Sequence, residues 1–140
     1  MPTTGELLWH NNISSARLAQ IGATFVVASV CLVVFYGSEN WQIPTFAWHP
    51  LLVTLGLFCL VQSVLILQPT KAQAEKKIGL QWHQILILCA SLPMMTMGAW
   101  IIWSLHSLPG QKHFISWHGL LGFCIIMLLL SLIHISEPTR

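Results

Sequence analysis

Charged side chains are scarce in this 140-residue sequence, where Asp, Glu, Lys and Arg together make up 7% of the residues. Soluble domains carry roughly 25%. Hydrophobic residues make up 55%, and a chain with so little charge cannot cover a core with polar surface, so we expect it to face a lipid bilayer. The net charge of +2, without a basic patch interleaved with aromatics, argues against a nucleic-acid partner.

Cysteine pairs are also lacking, since the four cysteines lie far apart, each within an apolar run: Cys31, Cys59, Cys89 and Cys124. The sequence contains no C-x-x-C and no C-x-x-C-H motif, which argues against a zinc site and against covalent haem attachment. Apolar residues do not alternate at period two, which argues against a membrane barrel. We interpret the cysteines as small apolar side chains in membrane helices.

Four long apolar runs are present, each free of Asp, Glu, Lys and Arg, over about residues 18–36, 46–67, 78–103 and 114–134. A membrane helix needs about 20 mostly apolar residues. The sequence therefore predicts an all-α fold, an integral membrane helical bundle of four transmembrane helices forming one domain over residues 1–140. Pro93 is expected to kink the third span.

The loop charges predict the orientation. Residues 68–77 contain Lys71, Lys76 and Lys77, residues 104–113 contain only Lys112, and residues 37–45 contain no basic residue. Lys and Arg concentrate in cytoplasmic loops. The second loop and both termini are therefore predicted to be cytoplasmic. The charges leave open whether the membrane is the plasma membrane or an endomembrane.

Three histidines lie a few residues inside predicted spans: His49, His83 and His118. Ionisable residues inside a span are costly and mark functional sites, and the spans offer no carboxylate to pair with them. Spans two and four run in the same direction, so His49 and His118 are predicted to share one depth near the outer face. His83 is predicted roughly 20 Å away, near the inner face.

Two imidazoles from facing helices at one depth suit the two axial positions of a haem iron. Gly56 and Gly122 return to the faces of His49 and His118, and we expect them to leave space for the flat macrocycle. An iron with both axial positions filled transfers electrons. The structural alternative is a set of interfacial histidines hydrogen-bonded to the backbone. His106, His113 and Lys112, in the outer loop, either bind an anionic or metal-bound acceptor or are simply solvated.

Three sequence motifs resemble those of the cytochrome b561 family. The resemblance is strongest to the short members that contain a cytochrome b561 domain, the transmembrane ascorbate-dependent reductases. They are FAWHP at residues 46–50, LQWHQ at 80–84 and HFISWHG at 113–119. The resemblance covers nearly the whole chain in order and spacing. It implies a six-helix fold with two haem b groups, the outer one on His49 and His118 and the inner one with His83 as one ligand.

The resemblance also implies a donor and an acceptor. Cytosolic ascorbate would bind near Lys76 and Lys77, and ferric iron or monodehydroascorbate would be reduced on the outer side near His113. The chain would then be a ferrireductase or monodehydroascorbate reductase, and association of two copies as a homodimer is left open. Residues 131–140 do not resemble the family's continuation toward a fifth helix, which carries the partner of His83 in the family. We therefore expect a C-terminally truncated version of the fold.

Two other classes of function compete with this interpretation. A haem-free four-helix membrane scaffold or assembly partner predicts a colourless protein that tolerates replacement of His49 and His118. A metal or proton transporter would use the histidines as sites, but the absence of Asp and Glu from the spans weighs against it.

Overall fold

The computed structural model describes residues 4–38, 42–67, 73–107, 109–110, 113 and 116–135. Within its helices it describes the side chains of all but residues 4–14, 73–74 and 133–135. These described residues form helices and short turns without a strand, which confirms the all-α prediction. Lys71, Lys112 and Phe114 lie outside the described residues.

The first helix, α1, spans Thr4–Tyr36 and therefore begins well before the predicted start at residue 18. No proline interrupts the polar residues that precede the apolar run. Once nucleated, a helix extends at little cost through such residues. Its apolar part, Ser15–Tyr36, is long enough to cross a membrane.

The second span follows a short 3-10 turn at Thr45–Ala47 and forms α2, Trp48–Leu67. The third is one helical stretch in three parts: α3 is Gln73–Leu86, a π turn is Ile87–Ser91, and α4 is Leu92–His106. It exceeds the predicted span, residues 78–103, at both ends. Glu75 in the first turn of α3 favours the early start, since a carboxylate stabilises a helix N-terminus.

The fourth helix, α5, spans Trp117–Ile135 and begins later than the predicted residue 114. Ser116 precedes it and caps its first turn, with the Gly119 N–H donating to Ser116 Oγ at 3.1 Å. By length and composition α1, α2 and the third helical stretch qualify as membrane spans, and α5 adds a shorter apolar segment, Trp117–Leu132. This agrees with the predicted helical membrane bundle.

The helix α2 lies at the centre and runs antiparallel to the third stretch, since its first residues meet α4 and its last residues meet α3. Between them are the most buried side chains of the described part of the chain, including Met95, Ser63 and Ser91. Large apolar side chains elsewhere are exposed, as expected for residues that face lipid.

Candidate functional site

The ring of His49 is held by the neighbouring helix. His49 lies in the first turn of α2, half-buried, and its Nδ1 is 2.9 Å from the carbonyl oxygen of Gly98 in α4. A carbonyl can only accept, so Nδ1 carries the proton and donates it. The other nitrogen, Nε2, then keeps its lone pair, which is the arrangement found in metal-binding histidines.

Gly98 permits this contact because it has no side chain. A Cβ at that position would lie 2.8 Å from Val53 Cγ2 and 3.3 Å from the carbonyl oxygen of His49. Any larger residue would push α4 away from α2 and lengthen the bond to the ring. Gly98 is buried, and it allows the two helices to approach closely.

The structure brings His118 to His49. His118 lies in the capped first turn of α5, and its ring centroid is 6.1 Å from that of His49, with the two rings at 89°. Imidazole nitrogen binds metal ions at about 2.0–2.1 Å, so two rings on opposite sides of one ion have centroids roughly 6 Å apart. The observed separation fits a single iron held by both rings.

Of the two glycines expected to leave space for a flat macrocycle, only Gly122 on α5 does so. The space beside Gly122 is open, with no atom within 4 Å of a Cβ built there, and α5 packs most closely on α4 rather than on α2. The expectation for Gly56 is wrong, because a Cβ there would lie 2.6 Å from Met95 Cγ. Gly56 faces the third stretch and makes room for a methionine, not for a macrocycle.

The helix α2 and the third helical stretch form the central helix pair, and His83 lies at the end of this pair opposite to His49. Its Nδ1 donates to the carbonyl oxygen of Ser63 at 2.9 Å, again leaving Nε2 with its lone pair. Ser63 follows His49 by 14 positions along α2, so the two levels are about 21 Å apart at 1.5 Å per residue. Among the described side chains, the structure brings no second histidine to His83.

The lysines predicted to bind the donor lie on a helix and not in the loop expected from the sequence. Lys76 and Lys77 are exposed in the first turns of α3. Lys76 precedes His83 by seven positions, so both share one helix face, with Lys76 about 10 Å further along the axis. Lys77 points to a different face, which distinguishes two lysines that the sequence treats alike.

His113 stacks on Trp103, with ring centroids 4.0 Å apart and an angle of 21°. His106, placed in the loop by the sequence, is the last residue of α4, and its Nδ1 donates to the carbonyl oxygen of Ile102 at 2.9 Å. The centroids of His106 and His113 are 6.3 Å apart. The described residues contain no group of three or more His, Cys, Asp or Glu that could hold a metal ion.

Sequence reasoning missed the partners that orient the rings: the carbonyl oxygens of Gly98 and Ser63 and the indole of Trp103. A carbonyl acceptor has no signature in sequence, because every residue carries one. Tryptophans are common at the ends of membrane spans, so its position in the sequence does not single out Trp103.

One of three comparisons with known proteins gives a match. A family model described as eukaryotic cytochrome b561 matches residues 48–136, more than half of the chain. That stretch includes all three motif histidines and His113. No curated protein and no solved structure matches the chain.

Proposed function

The chain belongs to the eukaryotic cytochrome b561 family, whose members transfer electrons across membranes on haem, and from that premise we propose an ascorbate-dependent reductase. Its donor would be cytosolic ascorbate, and its acceptor on the outer side would be ferric iron or monodehydroascorbate. The observation that carries the proposal is the meeting of His49 and His118, two imidazoles at a separation that suits one iron between them.

His49 and His118 would hold an outer haem b, and His83 would supply one ligand to an inner haem b. The haem, when bound, supplies the one-electron chemistry. The chain's own residues orient the ligands: the carbonyl of Gly98 fixes the His49 ring and that of Ser63 fixes the His83 ring. A hydrogen bond of this kind also raises the basicity of the ligating nitrogen.

On the inner side, Lys76 is the better placed of the two lysines to attract an ascorbate anion. Both lysines are exposed, but only Lys76 shares a helix face with His83. On the outer side, His113 would contact the acceptor. Its stacking on Trp103 holds the imidazole next to the end of α4.

The orientation follows from the same charges. Lys76 and Lys77 stand at the end of the bundle that carries His83, and the rule that lysines favour the cytoplasmic side puts that end inside. The N-terminus would then be cytoplasmic as well, and His113 and His118 would lie near the outer face.

The test is the visible spectrum of detergent-purified protein supplied with haem, recorded with and without ascorbate. We expect sharp low-spin b-type bands on reduction. His118→Ala should remove the bands of the outer haem because the group would lose one of the two histidines proposed to hold it. His106→Ala is the matched control, since that ring bonds within its own helix, and its spectrum should stay unchanged. A colourless, folded protein would favour the haem-free scaffold.

The donor site has its own matched pair. Lys76→Gln should raise the KM for ascorbate several-fold, because an exposed charge contributes up to about 1 kcal/mol. Lys77→Gln should change it less. The measurement is the initial rate of haem reduction against ascorbate concentration, and added salt should weaken the effect of Lys76. Equal changes in the two variants would contradict the assignment.

A further inference from the structure

The central helix pair is joined at three levels. At the outer level His49 meets Gly98, and at the inner level His83 meets Ser63. Midway, Ser91 Oγ donates to the carbonyl oxygen of Gly56 at 2.8 Å. Each level is a contact between a side chain of one helix and a backbone carbonyl of the other.

The two helices space these contacts differently. On α2 the contact residues follow one another at intervals of seven: His49, Gly56 and Ser63. On the third stretch the interval from Ser91 to Gly98 is also seven, but that from His83 to Ser91 is eight. Seven residues make almost two turns of an α-helix, whereas eight overshoot by roughly 80° at 3.6 residues per turn.

In an unbroken α-helix, therefore, His83 would leave the face that meets α2. The π turn Ile87–Ser91 lies within that interval of eight. There the Leu92 N–H donates to the carbonyl oxygen of Ile87, five positions earlier, so the turn holds one residue more than an α turn. The extra residue is absorbed, and His83 returns to the carbonyl of Ser63.

We infer that the π turn Ile87–Ser91 is a positioning element that sets the register of His83 against α2 while Gly98 stays under His49. This inference rests on the proposed function, in which His83 is an inner haem ligand. With an interval of eight from His83 to Ser91, the π turn is what returns the His83 ring to the carbonyl of Ser63, so that Nδ1 is fixed and Nε2 is presented in one orientation. Beyond the π turn, the contact between His49 and Gly98 holds the outer half of the pair.

A competing explanation is local. Pro93 lacks an N–H, so the carbonyl of Cys89 loses its α-helical donor, and the π turn could be a by-product of that loss. The two explanations differ in what a deletion does. If register is the reason, removing one residue from the π turn yields a regular α-helix with every interhelical contact intact.

The chain offers a matched pair of deletions. Cys89 lies in the interval of eight residues on the third stretch, and Cys59 lies in an interval of seven residues on α2. Deleting Cys89 removes the extra residue of the π turn, whereas deleting Cys59 shortens the interval between Gly56 and Ser63 on α2. We expect the Cys89 deletion to keep the thermal midpoint of the full chain in detergent. The Cys59 deletion should lower it. Cys89→Ala and Cys59→Ala control for loss of the thiol.

The direct readout is the ¹⁵N spectrum of the histidine rings in haem-free protein, with the His83 signal assigned by its loss in His83→Gln. Parent protein and the Cys89 deletion should both show the Nδ1–H form of His83, and the Cys59 deletion should lose it. Loss of that form in the Cys89 deletion, or a lower midpoint for it than for the Cys59 deletion, would overturn the inference. Deleting Leu88 instead should reproduce the Cys89 result, and failure of both deletions would likewise overturn it.

The haem spectrum separates this inference from the function it rests on. Retained Nδ1–H signals in a protein that binds no haem would refute the proposed function and leave the register intact. If the parent binds haem but the Cys89 deletion loses the His83 signal, the register inference is refuted and the proposed function stands.

Discussion

The central helix pair, formed by α2 and the third stretch, and the first helix, α1, are built from similar apolar residues but make different polar contacts. Between α2 and the third stretch, small residues and carbonyls meet closely, as at Gly56 and Ser91. In α1, Thr24 and Ser29 donate to carbonyls four positions earlier in the same helix, and Phe25 is 72% exposed. In lipid, burying an apolar side chain gains little, so close packing and interhelical hydrogen bonds decide where helices associate.

The largest difference should appear at methionine. Met95 is 3% exposed and fills the space above Gly56, whereas Met97 is 60% exposed in the same helix. Met95→Ala leaves a cavity and should lower the free energy of unfolding by about 2–4 kcal/mol. Met97→Ala should change it by less than about 0.5 kcal/mol. The measurement is an SDS unfolding titration of detergent-solubilised protein, and equal losses would show that the face of α4 toward Gly56 is no better packed than its exposed face.

Glycine gives the next effect. A Cβ at Gly56 would lie 3.0 Å from the carbonyl oxygen of Ser91 and closer still to Met95, while one at Gly22 in α1 meets nothing within 4 Å. Gly56→Ala should therefore cost about 1–3 kcal/mol through overpacking. Gly22→Ala should be neutral, or stabilising by up to about 1 kcal/mol. The SDS unfolding titration measures both variants. An unchanged free energy of unfolding for Gly56→Ala would mean that the two helices can move apart without cost.

The smallest effect should come from serine. Ser91→Ala removes a hydrogen bond between helices, which is worth about 0.6 kcal/mol on average inside a membrane protein. Ser29→Ala in α1 removes only a bond within one helix and should not change the unfolding midpoint. A double-mutant cycle of Ser91→Ala with Gly56→Ala should show coupling, because the two residues share one contact. Additive losses would contradict that contact.

The sequence predicts the parts of this molecule that depend on local composition. Hydropathy places α2 correctly, and the W-H motifs single out His49 and His118, which the structure brings together. The early start of α1 escapes prediction because polar residues without proline are compatible with either helix or coil. The role of Gly56 was misjudged because helical spacing identifies a face but not the partner that covers it.

The orientation of the rings depends on register between helices, which no single segment encodes. The intervals of seven and eight are visible in the sequence, yet they gain meaning only once His83 is known to face Ser63. The π turn is for the same reason absent from any prediction based on the apolar run of the third span.

The stack of His113 on Trp103 has a consequence for how the second imidazole reaches His49. It ties the chain to the end of α4 only five positions before His118, so this short tether restricts His118 to a radius of at most about 18 Å from that anchor. An imidazole confined in this way would meet its proposed partner at an effective concentration in the millimolar range or above. In the proposed site, this short tether would favour the meeting of the two imidazoles before any helix–helix packing by α5 contributes.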